Sequence, residues 1–381
     1  MTPVSSYRCA LVIRHRPHRF AATVAALVAL AAALTSLAPS ATAGSREGPV
    51  TIVQSDAGTD PVGAAAAYAR LMTIPSRDSG AIYRSHAPQQ TGADDCPAVR
   101  CRDVRPPVPT GVRIISNRTR VILPVGYGDR ANRNKRYPVV YFWNGARSDY
   151  AAWTFKTELL QMSRQWDAIF VMPSGGYDSR AGMMSDWHDG SFQWETWHTG
   201  TVVPWIDRHF RTIRGARAMV GASMGGLGVF TYAAHHPGMF KAVLSISGLV
   251  DTTALSVAGI DERLNDALDL PKPYLRRIWG DPVLDRDVWN DHNPTWLAPK
   301  LRGLNKVLIT SGTGYPGTTT DIHSGETERR VWEQHRTFLA ALTAARVPYS
   351  ARVMEGGIHN WNFFNNPLRW AMPQLIAATR S

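Results

Sequence analysis

The sequence has few cysteines, few charged residues and, beyond its first 43 positions, no long apolar run. Only three of its 381 residues are cysteine, which excludes a small scaffold held together by many disulfides. Charged residues make up 19% and apolar residues 44%, which excludes a largely disordered or coiled-coil chain. An uninterrupted apolar stretch of about 18 residues is missing after position 43, which excludes several membrane-spanning helices.

Acidic residues are absent from the first 43 positions, which have the composition of a secretory signal. Four arginines accompany an apolar run from Phe20 to Leu37, and Ala41-Thr42-Ala43 offers a cleavage site of small residues. An uncleaved anchor is the alternative, because the run is long enough to span a bilayer. Cleavage removes four arginines and no acid, so the formal net charge falls from +12 to +8. We expect an exported protein, secreted or associated with the cell envelope.

The basic residues form no block of the kind that binds nucleic acid. They alternate with acids along most of the chain, so we expect no nucleic-acid partner and consider an anionic envelope surface instead. Export would leave two cysteines, Cys96 and Cys101, and their proximity predicts a disulfide. Two free thiols are the alternative, whereas a zinc site would need more ligands. We expect no metal and no organic cofactor.

Tryptophan is absent from residues 44–109, whereas all thirteen tryptophans lie between Trp143 and Trp370. Residues 44–109 are rich in Gly, Ala, Pro and Asp and end in a proline-rich segment. We therefore expect three parts: a signal peptide at 1–43, a partly irregular extension at 44–109, and one catalytic domain at 110–381.

Short apolar runs alternate with helical patterns throughout this third part. Val331, His335, Phe338, Leu339 and Leu342 recur at the spacing of a helix stripe. Alternation of this kind predicts an α/β fold, namely an α/β-hydrolase with a mostly parallel eight-stranded sheet and helices on both faces. The eight predicted strands are Val112–Ile115, Thr119–Leu123, Pro138–Trp143, Ala168–Met172, Ala218–Gly221, Ala242–Ile246, Val307–Thr310 and Ser350–Val353.

A serine between glycines follows one of these strands and opens a predicted helix. The segment Gly221-Ala222-Ser223-Met224-Gly225-Gly226 has the form of a nucleophile elbow, a sharp turn that exposes the serine hydroxyl. The pattern alone is weak evidence, but its position between strand and helix is specific. We assign Ser223 as the nucleophile.

A serine nucleophile needs a histidine base, and in this fold the chain order is Ser, acid, His. His359 is the best candidate of the six histidines after Ser223, because it follows the last predicted strand. His235, His236, His292 and His335 fit caps, surface or core positions instead.

The acid must come before His359, and Glu328 is our choice. Its position just after Thr327, a candidate helix N-cap, would let the helix dipole keep the carboxylate ionised. An ordinary first-turn helix charge is the alternative. The other candidates for the acid are Asp251, Asp321, Glu326 and Glu333.

An oxyanion hole requires two backbone N–H groups near the nucleophile. Met224 would supply one, and Ala146 would supply the second from the loop after the Pro138–Trp143 strand. Trp187 and Trp361 are assigned as candidate substrate-binding side chains, because indole rings can bind acyl or sugar groups; simple packing is the alternative.

The elbow is accompanied by six further motifs in a fixed order: Asn144-Gly145-Ala146-Arg147, Asp149 to Trp153, Met172-Pro173-Ser174-Gly175-Gly176, Ser185-Asp186-Trp187, Trp194-Glu195-Thr196 and His359-Asn360-Trp361. Together they resemble the esterase D family and, within it, the mycolyltransferases of the antigen 85 type, over roughly residues 110 to 375. The resemblance implies a triad of Ser223, Glu328 and His359, oxyanion donors at Ala146 and Met224, and a substrate-side arginine at Arg147. It also favours Glu328 over Glu326, since the family's acid lies ten residues before a helix phenylalanine, here Phe338.

The sequence therefore predicts a secreted serine carboxylesterase that forms an acyl-enzyme on Ser223. Gly225-Gly226 follows the simple esterases, and residues 44–109 have no counterpart in the family. The alternatives are an acyltransferase that moves acyl chains to envelope sugars or glycerol, and a non-catalytic binding protein on the same scaffold. The expected substrates are small-molecule or lipid esters, with an envelope glycolipid as a candidate.

Overall fold

The computed structural model describes residues 50–55, 100–177, 181–255, 274–314 and 322–381. The predicted signal peptide and Cys96 lie outside these ranges. Cys101 is disulfide-bonded, and its pairing with Cys96 stays a prediction.

A nine-stranded sheet organises the described residues. Its strands are β1 Val50–Ser55, β2 Cys101–Val104, β3 Thr119–Ile122, β4 Tyr137–Trp143, β5 Ile169–Pro173, β6 Thr212–Ala222, β7 Ala242–Ile246, β8 Lys306–Gly312 and β9 Tyr349–Met354. Their spatial order is β1-β9-β8-β7-β6-β4-β5-β3-β2. The pairs from β5 through β4, β6, β7 and β8 to β9 are parallel, and the strands outside this block pair antiparallel. The predicted mostly parallel α/β sheet is thus confirmed.

The sheet has nine strands in place of the predicted eight, because one predicted strand is absent and two others are added. Val112–Ile115 forms no strand; its three apolar residues are half-buried and pack beside the core without joining a ladder. A short run of three apolar residues around Arg113 cannot by itself distinguish a strand from a packed loop. Strands β1 and β2 come instead from residues before 110, so part of the predicted extension belongs to the sheet.

Helices cover both faces of the sheet, as predicted. Alternate residues of β4 point to opposite sides: Val139 and Tyr141 join one apolar cluster, and Val140 and Phe142 join the other. The described α-helices are α1 Ala152–Phe155, α2 Leu159–Met162, α3 Trp194–Trp197, α4 Val203–His209, α5 Met224–His235, α6 Thr252–Leu255, α7 Tyr274–Trp279, α8 Arg286–Asp291, α9 Pro294–Leu297, α10 Ile322–Ala344 and α11 Trp361–Ala378.

The longest helices lie on opposite faces. Helices α5 and α10 meet through the rings of Phe230 and Phe338, whose centroids are 4.6 Å apart. Helix α11 buries Leu368 and Leu375 in the other cluster. No helix in the described ranges has both the length and the apolarity needed to cross a membrane. One edge of the sheet holds the carboxyl ends of β6, β7, β8 and β9, because these strands are parallel. The predicted site residues follow the strands at this edge.

Candidate active site

Ser223 occupies a sharp turn between β6 and α5. Its backbone has φ 55° and ψ −116°, a conformation that L-residues rarely adopt. The turn is possible because its neighbours lack side chains: a Cβ on Gly221 would lie 2.0 Å from the carbonyl oxygen of Gly225. The Ser223 N–H donates to the Ile246 carbonyl at 2.9 Å, which ties the turn to β7. The serine side chain is thereby held at the sheet edge.

Ser223, His359 and Glu328 form a continuous hydrogen-bonded chain. His359 Nε2 lies 2.9 Å from Ser223 Oγ, and His359 Nδ1 lies 2.7 Å from Glu328 Oε2. His359 follows β9, and its backbone N–H donates to the Ser324 carbonyl of α10 at 3.0 Å. The loop of the histidine and the helix of the glutamate are therefore tied together.

Glu328 is fully buried, and its second oxygen is surrounded by donors. Oε1 accepts hydrogen bonds from the Ser247 hydroxyl at 2.7 Å, the Ser311 hydroxyl at 3.1 Å and the Gly312 N–H at 2.6 Å. Three donors compensate for the burial of a carboxylate and fix its orientation. Oε2 is left to face the imidazole.

The other candidate acids have different partners. Glu326 forms ion pairs with Arg329 and Arg330, which outweigh burial and lower its pKa to about 2. Glu333 pairs with Arg329, and Asp251 accepts from the Asn293 amide at 2.9 Å. Asp321 lies outside the described residues.

The predicted N-cap at Thr327 is wrong. Helix α10 already begins at Ile322, so Glu328 lies in its second turn. The carboxylate is stabilised by the ends of β7 and β8 and not by an N-terminal helix turn. Threonine occurs inside helices as well as at N-caps, so its residue type does not fix where the helix begins.

The predicted oxyanion donors lie on both sides of Ser223. Met224 is the first residue of α5, and Ala146 lies in the loop after β4. A Cβ placed on Gly145 would be 3.6 Å from that of Ser223, so this loop runs directly beside the nucleophile. Within the described ranges, neither the Ala146 nor the Met224 N–H donates to a loop carbonyl. An oxyanion hole requires two N–H groups beside the serine, and the assignment of these two stays a prediction.

Sequence reasoning missed the side chains that shape this site. Asn144 organises the loop after β4, which carries the predicted oxyanion donor Ala146: its amide donates to the Ser148 and Gly176 carbonyls, and its Oδ1 accepts from the Gly175 N–H. Ser247 and Ser311 support Glu328. Their signal was available, because each lies at the carboxyl end of a predicted parallel strand, at the same edge as the elbow.

The predicted substrate-binding residues have different surroundings. Arg147 is exposed. Trp361 is half-buried, with its ring 5.0 Å from Trp153 and 5.6 Å from Phe364, whose ring in turn lies 5.1 Å from His359.

Trp187, by contrast, is a core side chain. It is 4% exposed, packs edge-on against Phe192 and Tyr274, and donates its indole N–H to the Gly182 carbonyl. Trp194 and Trp197 are fully buried as well. We correct the assignment of Trp187 from substrate binding to packing, since an aromatic-rich stretch carries no sequence signal that separates the two.

Two further histidines near these elements are buried in neutral form. Burial lowers the pKa of His335 to about 4, and its Nε2 donates to the Gly248 carbonyl at 2.9 Å. Burial likewise lowers the pKa of His198 to about 4, although its bond to the Ser174 carbonyl opposes this. Neither ring touches Ser223. Among the described residues, no group of three or more His, Cys, Asp or Glu side chains is arranged to hold a metal.

Comparison with known proteins gives a family match over most of the chain. The family model described as "Putative esterase" matches residues 116–375. An esterase of Mycobacterium tuberculosis is 28% identical over 250 residues, covering 62% of this chain and 51% of that protein. The chain thus spans about half the length of that relative. The diacylglycerol acyltransferase/mycolyltransferase Ag85B of Mycobacterium leprae is 27% identical over 254 residues, covering 62% of this chain and 75% of that protein.

Solved structures share the fold. MPT51 of Mycobacterium tuberculosis superposes with a TM-score of 0.60 at 20% identity, covering 74% of this chain and 99% of that one. An S-formylglutathione hydrolase from Agrobacterium tumefaciens gives a TM-score of 0.56 at 19% identity, covering 73% and 94%.

Proposed function

The chain belongs to the esterase family, and from that premise we propose that it is a serine carboxylesterase with Ser223 as nucleophile, His359 as base and Glu328 as acid. The observation that carries this proposal is the unbroken chain of hydrogen bonds from the Glu328 carboxylate through the imidazole to the Ser223 hydroxyl. A non-catalytic binding protein on this scaffold would not need a serine, a histidine and a glutamate hydrogen-bonded to one another.

The proposed reaction proceeds in two halves. Ser223 Oγ attacks the ester carbonyl carbon while its proton passes to His359 Nε2, and the N–H groups of Ala146 and Met224 stabilise the oxyanion. The tetrahedral intermediate collapses, the bond to the alcohol oxygen breaks, and His359 returns the proton to the leaving alcohol. Water then attacks the acyl-enzyme by the same route and releases the acid.

Acyl transfer is the second candidate, because both halves of the reaction are the same when an alcohol replaces water. The likeness to the mycolyltransferase of Mycobacterium leprae favours this candidate. The Gly225-Gly226 elbow and the name of the Mycobacterium tuberculosis relative favour hydrolysis, which we propose as the main activity. Short-chain or lipid esters are the proposed substrates, with an envelope glycolipid as the acceptor if transfer occurs.

The two activities separate in one experiment. With p-nitrophenyl butyrate as donor and increasing trehalose or glycerol, a hydrolase keeps the ratio of free butyrate to p-nitrophenol near one. A fall of that ratio at millimolar acceptor, with a new ester accumulating, would show that the enzyme is a transferase. A purified protein that releases no p-nitrophenol from esters of any chain length would overturn both candidates.

We also propose export and a disulfide between Cys96 and Cys101. The signal-like first 43 residues support export, and the oxidised state of Cys101 suits an oxidising compartment. Mass spectrometry of the exported chain tests both, since it should find an N-terminus at Gly44 and no alkylation of either cysteine before reduction.

A further inference from the structure

A cavity of about 920 Å³ is lined in part by the loop that follows β4. Gly145 of this loop lies against Ser223, while Arg147 and Ser148 of the same loop line the cavity. Lys156, also in its lining, lies 6.0 Å from the ring of Trp361, two residues after His359. The cavity therefore lies beside the loop that borders Ser223, and Lys156 connects its lining to the helix that begins at Trp361.

The charges in the lining are mostly of one sign. Arg105, Arg118, Arg147 and Lys156 face a single carboxylate among the described lining residues, that of Asp149. Asp149 accepts the Ala151 N–H at 3.0 Å through Oδ1 and attracts the Arg118 guanidinium, so one negative charge stands against four positive charges in this lining. An excess of positive charge in a concave site attracts an anion.

The arginines on one wall have neutral hydrogen-bond partners. Arg105 donates to the Asn117 side-chain oxygen at 3.4 Å, and Arg118 donates to the Tyr150 hydroxyl at 3.3 Å. The nearby carboxylate of Asp103 is bound to Arg120 at 2.8 Å. Both guanidinium groups keep donors that can reach an anion.

The same cavity also exposes apolar surface. Val108 is 40%, Phe155 40% and Tyr177 37% exposed, and all three line it. Large side chains exposed together beside cations suit a ligand with an apolar body and a negative end.

We propose that this cavity is a subsite for the anionic, amphipathic part of the ester substrate, a carboxylate or phosphate joined to an aromatic or alkyl body. The proposal rests on the proposed esterase activity and narrows its substrate class. The anion binds the arginines and Lys156, while the apolar body covers Val108, Phe155 and Tyr177.

The test compares charged esters with neutral counterparts of the same shape. One pair, 4-acetoxybenzoate and 4-acetoxybenzamide, places the charge on the alcohol side; the other, phenyl hydrogen adipate and phenyl methyl adipate, places it on the acyl side. We expect kcat/KM to favour the anion about fivefold or more in one pair, and the favoured pair identifies the side that enters the cavity. The preference should shrink in 0.5 M NaCl, because the cations are largely exposed.

Substitutions in the cavity test whether its arginines cause the preference for the anionic ester. The double variant Arg105→Gln with Arg118→Gln should reduce the ratio of the two kcat/KM values to about two or less. Arg118→Lys keeps the charge and should keep most of that ratio. Arg214→Gln, at an exposed arginine outside the cavity, should leave the ratio unchanged. Equal rates within both pairs, or a preference that survives the double substitution, would overturn the subsite.

A binding measurement separates the subsite from the reaction. Calorimetry with the Ser223→Ala variant should give tighter binding of the anionic ester than of its neutral partner. If the wild type releases no p-nitrophenol from esters of any chain length but this binding difference is present, the esterase proposal fails and the cavity is an anion-binding site without that reaction. If the wild type hydrolyses both esters and binding is equal, the subsite alone fails.

Discussion

Helix α5 has a histidine–glutamate contact near each end, and only one of the two is hydrogen-bonded to a serine, the proposed nucleophile Ser223. At its N-terminus, Ser223 meets His359, which meets Glu328. At its C-terminus, His235 Nδ1 and His236 Nε2 both lie 2.9 Å from one oxygen of Glu195. We call the second group the Glu195 cluster; it comprises Glu195, His235 and His236.

The two groups differ in what the second ring nitrogen meets. His235 Nε2 lies 2.8 Å from the Asp291 carbonyl, and a carbonyl only accepts, so this nitrogen keeps its proton. His359 Nε2 faces a hydroxyl, which can give a proton or take one. The pair of His235 with Glu195 is therefore a fixed ion pair. In the proposed triad, by contrast, the His359 imidazole can accept the proton of the Ser223 hydroxyl and return it.

The pKa values in the Glu195 cluster agree with a fixed ion pair. Burial would raise the pKa of Glu195, but the hydrogen bonds from His235 and His236 outweigh it and lower the pKa to about 2. Burial would lower the pKa of His235, but Glu195 outweighs it and raises that pKa. The cluster thus stabilises the fold in its charged form, and variants of the two groups should affect different properties.

Ser223→Ala should cause the largest loss of activity among the variants of the proposed triad. We expect kcat to fall by about 10⁴ to 10⁶, because the proposed triad acts as a unit. Labelling by a fluorophosphonate probe should disappear as well, and His359→Ala should behave similarly. Labelling of the Ser223→Ala protein at another serine would contradict the assignment.

Glu328→Gln should reduce kcat by roughly 10² to 10⁴ with the fold retained. The amide can orient the imidazole but cannot stabilise its charged form. Glu326→Gln is the matched control two residues away, and steady-state kinetics decides between them. A larger loss in Glu326→Gln than in Glu328→Gln would mean that the acid is misplaced.

Glu195→Gln should affect stability in place of catalysis. We expect the free energy of unfolding near pH 6 to fall by about 3 kcal/mol, since two histidines lose a buried anionic partner. Activity of the folded protein should stay close to that of the wild type. Urea titration monitored by tryptophan fluorescence, beside kinetics on the same samples, checks both halves.

The stability difference should depend on pH in a defined way. The Glu195 contribution is present above the ordinary carboxyl pKa of 4.5 and is lost as pH falls toward 2, because its folded pKa is lowered. The His235 contribution is present below 6.5 and is lost as pH rises through its raised folded pKa. The gap between wild type and Glu195→Gln should therefore be widest between pH 4.5 and 6.5. A gap that grows steadily toward pH 9 would contradict this account.

Ser247→Ala should give the smallest effect, about tenfold in kcat. It removes one of three hydrogen bonds to Glu328 Oε1 and leaves the Ser311 and Gly312 donors in place. Ser247 is a positioning residue, so KM should change little. Ser350→Ala removes a buried hydroxyl from β9 as the control. Equal kcat in the two variants would show that Ser247 does not position the acid.

Much of the fold, and the side chains that meet at the candidate site, could be predicted from the sequence. Strand-sized apolar runs placed Ser223 after β6 and His359 after β9, and the topology of parallel strands then brings both to one edge. Their roles remain proposals until the variants are measured. The start of α10 was not predictable, since Thr327 has the residue type of an N-cap yet lies inside the helix.

The surroundings of individual side chains could not be predicted from the sequence, because they depend on residues that are distant along the chain. Whether Trp187 faces a ligand or the core depends on Phe192 and Tyr274, which only the folded chain brings against it. The ion pair of Glu195 with His235 joins residues forty positions apart, and no local pattern predicts it.

Strand β1 has a practical consequence for anyone producing this protein. It lines the full length of β9, from Val50 opposite Met354 to Ser55 opposite Tyr349, and His359 follows β9 by only a few residues. A truncated version starting at residue 110, where the composition changes, would leave β9 as an open edge available to other chains. Such a fragment should aggregate on expression, so the residues of β1 need to stay in any recombinant form.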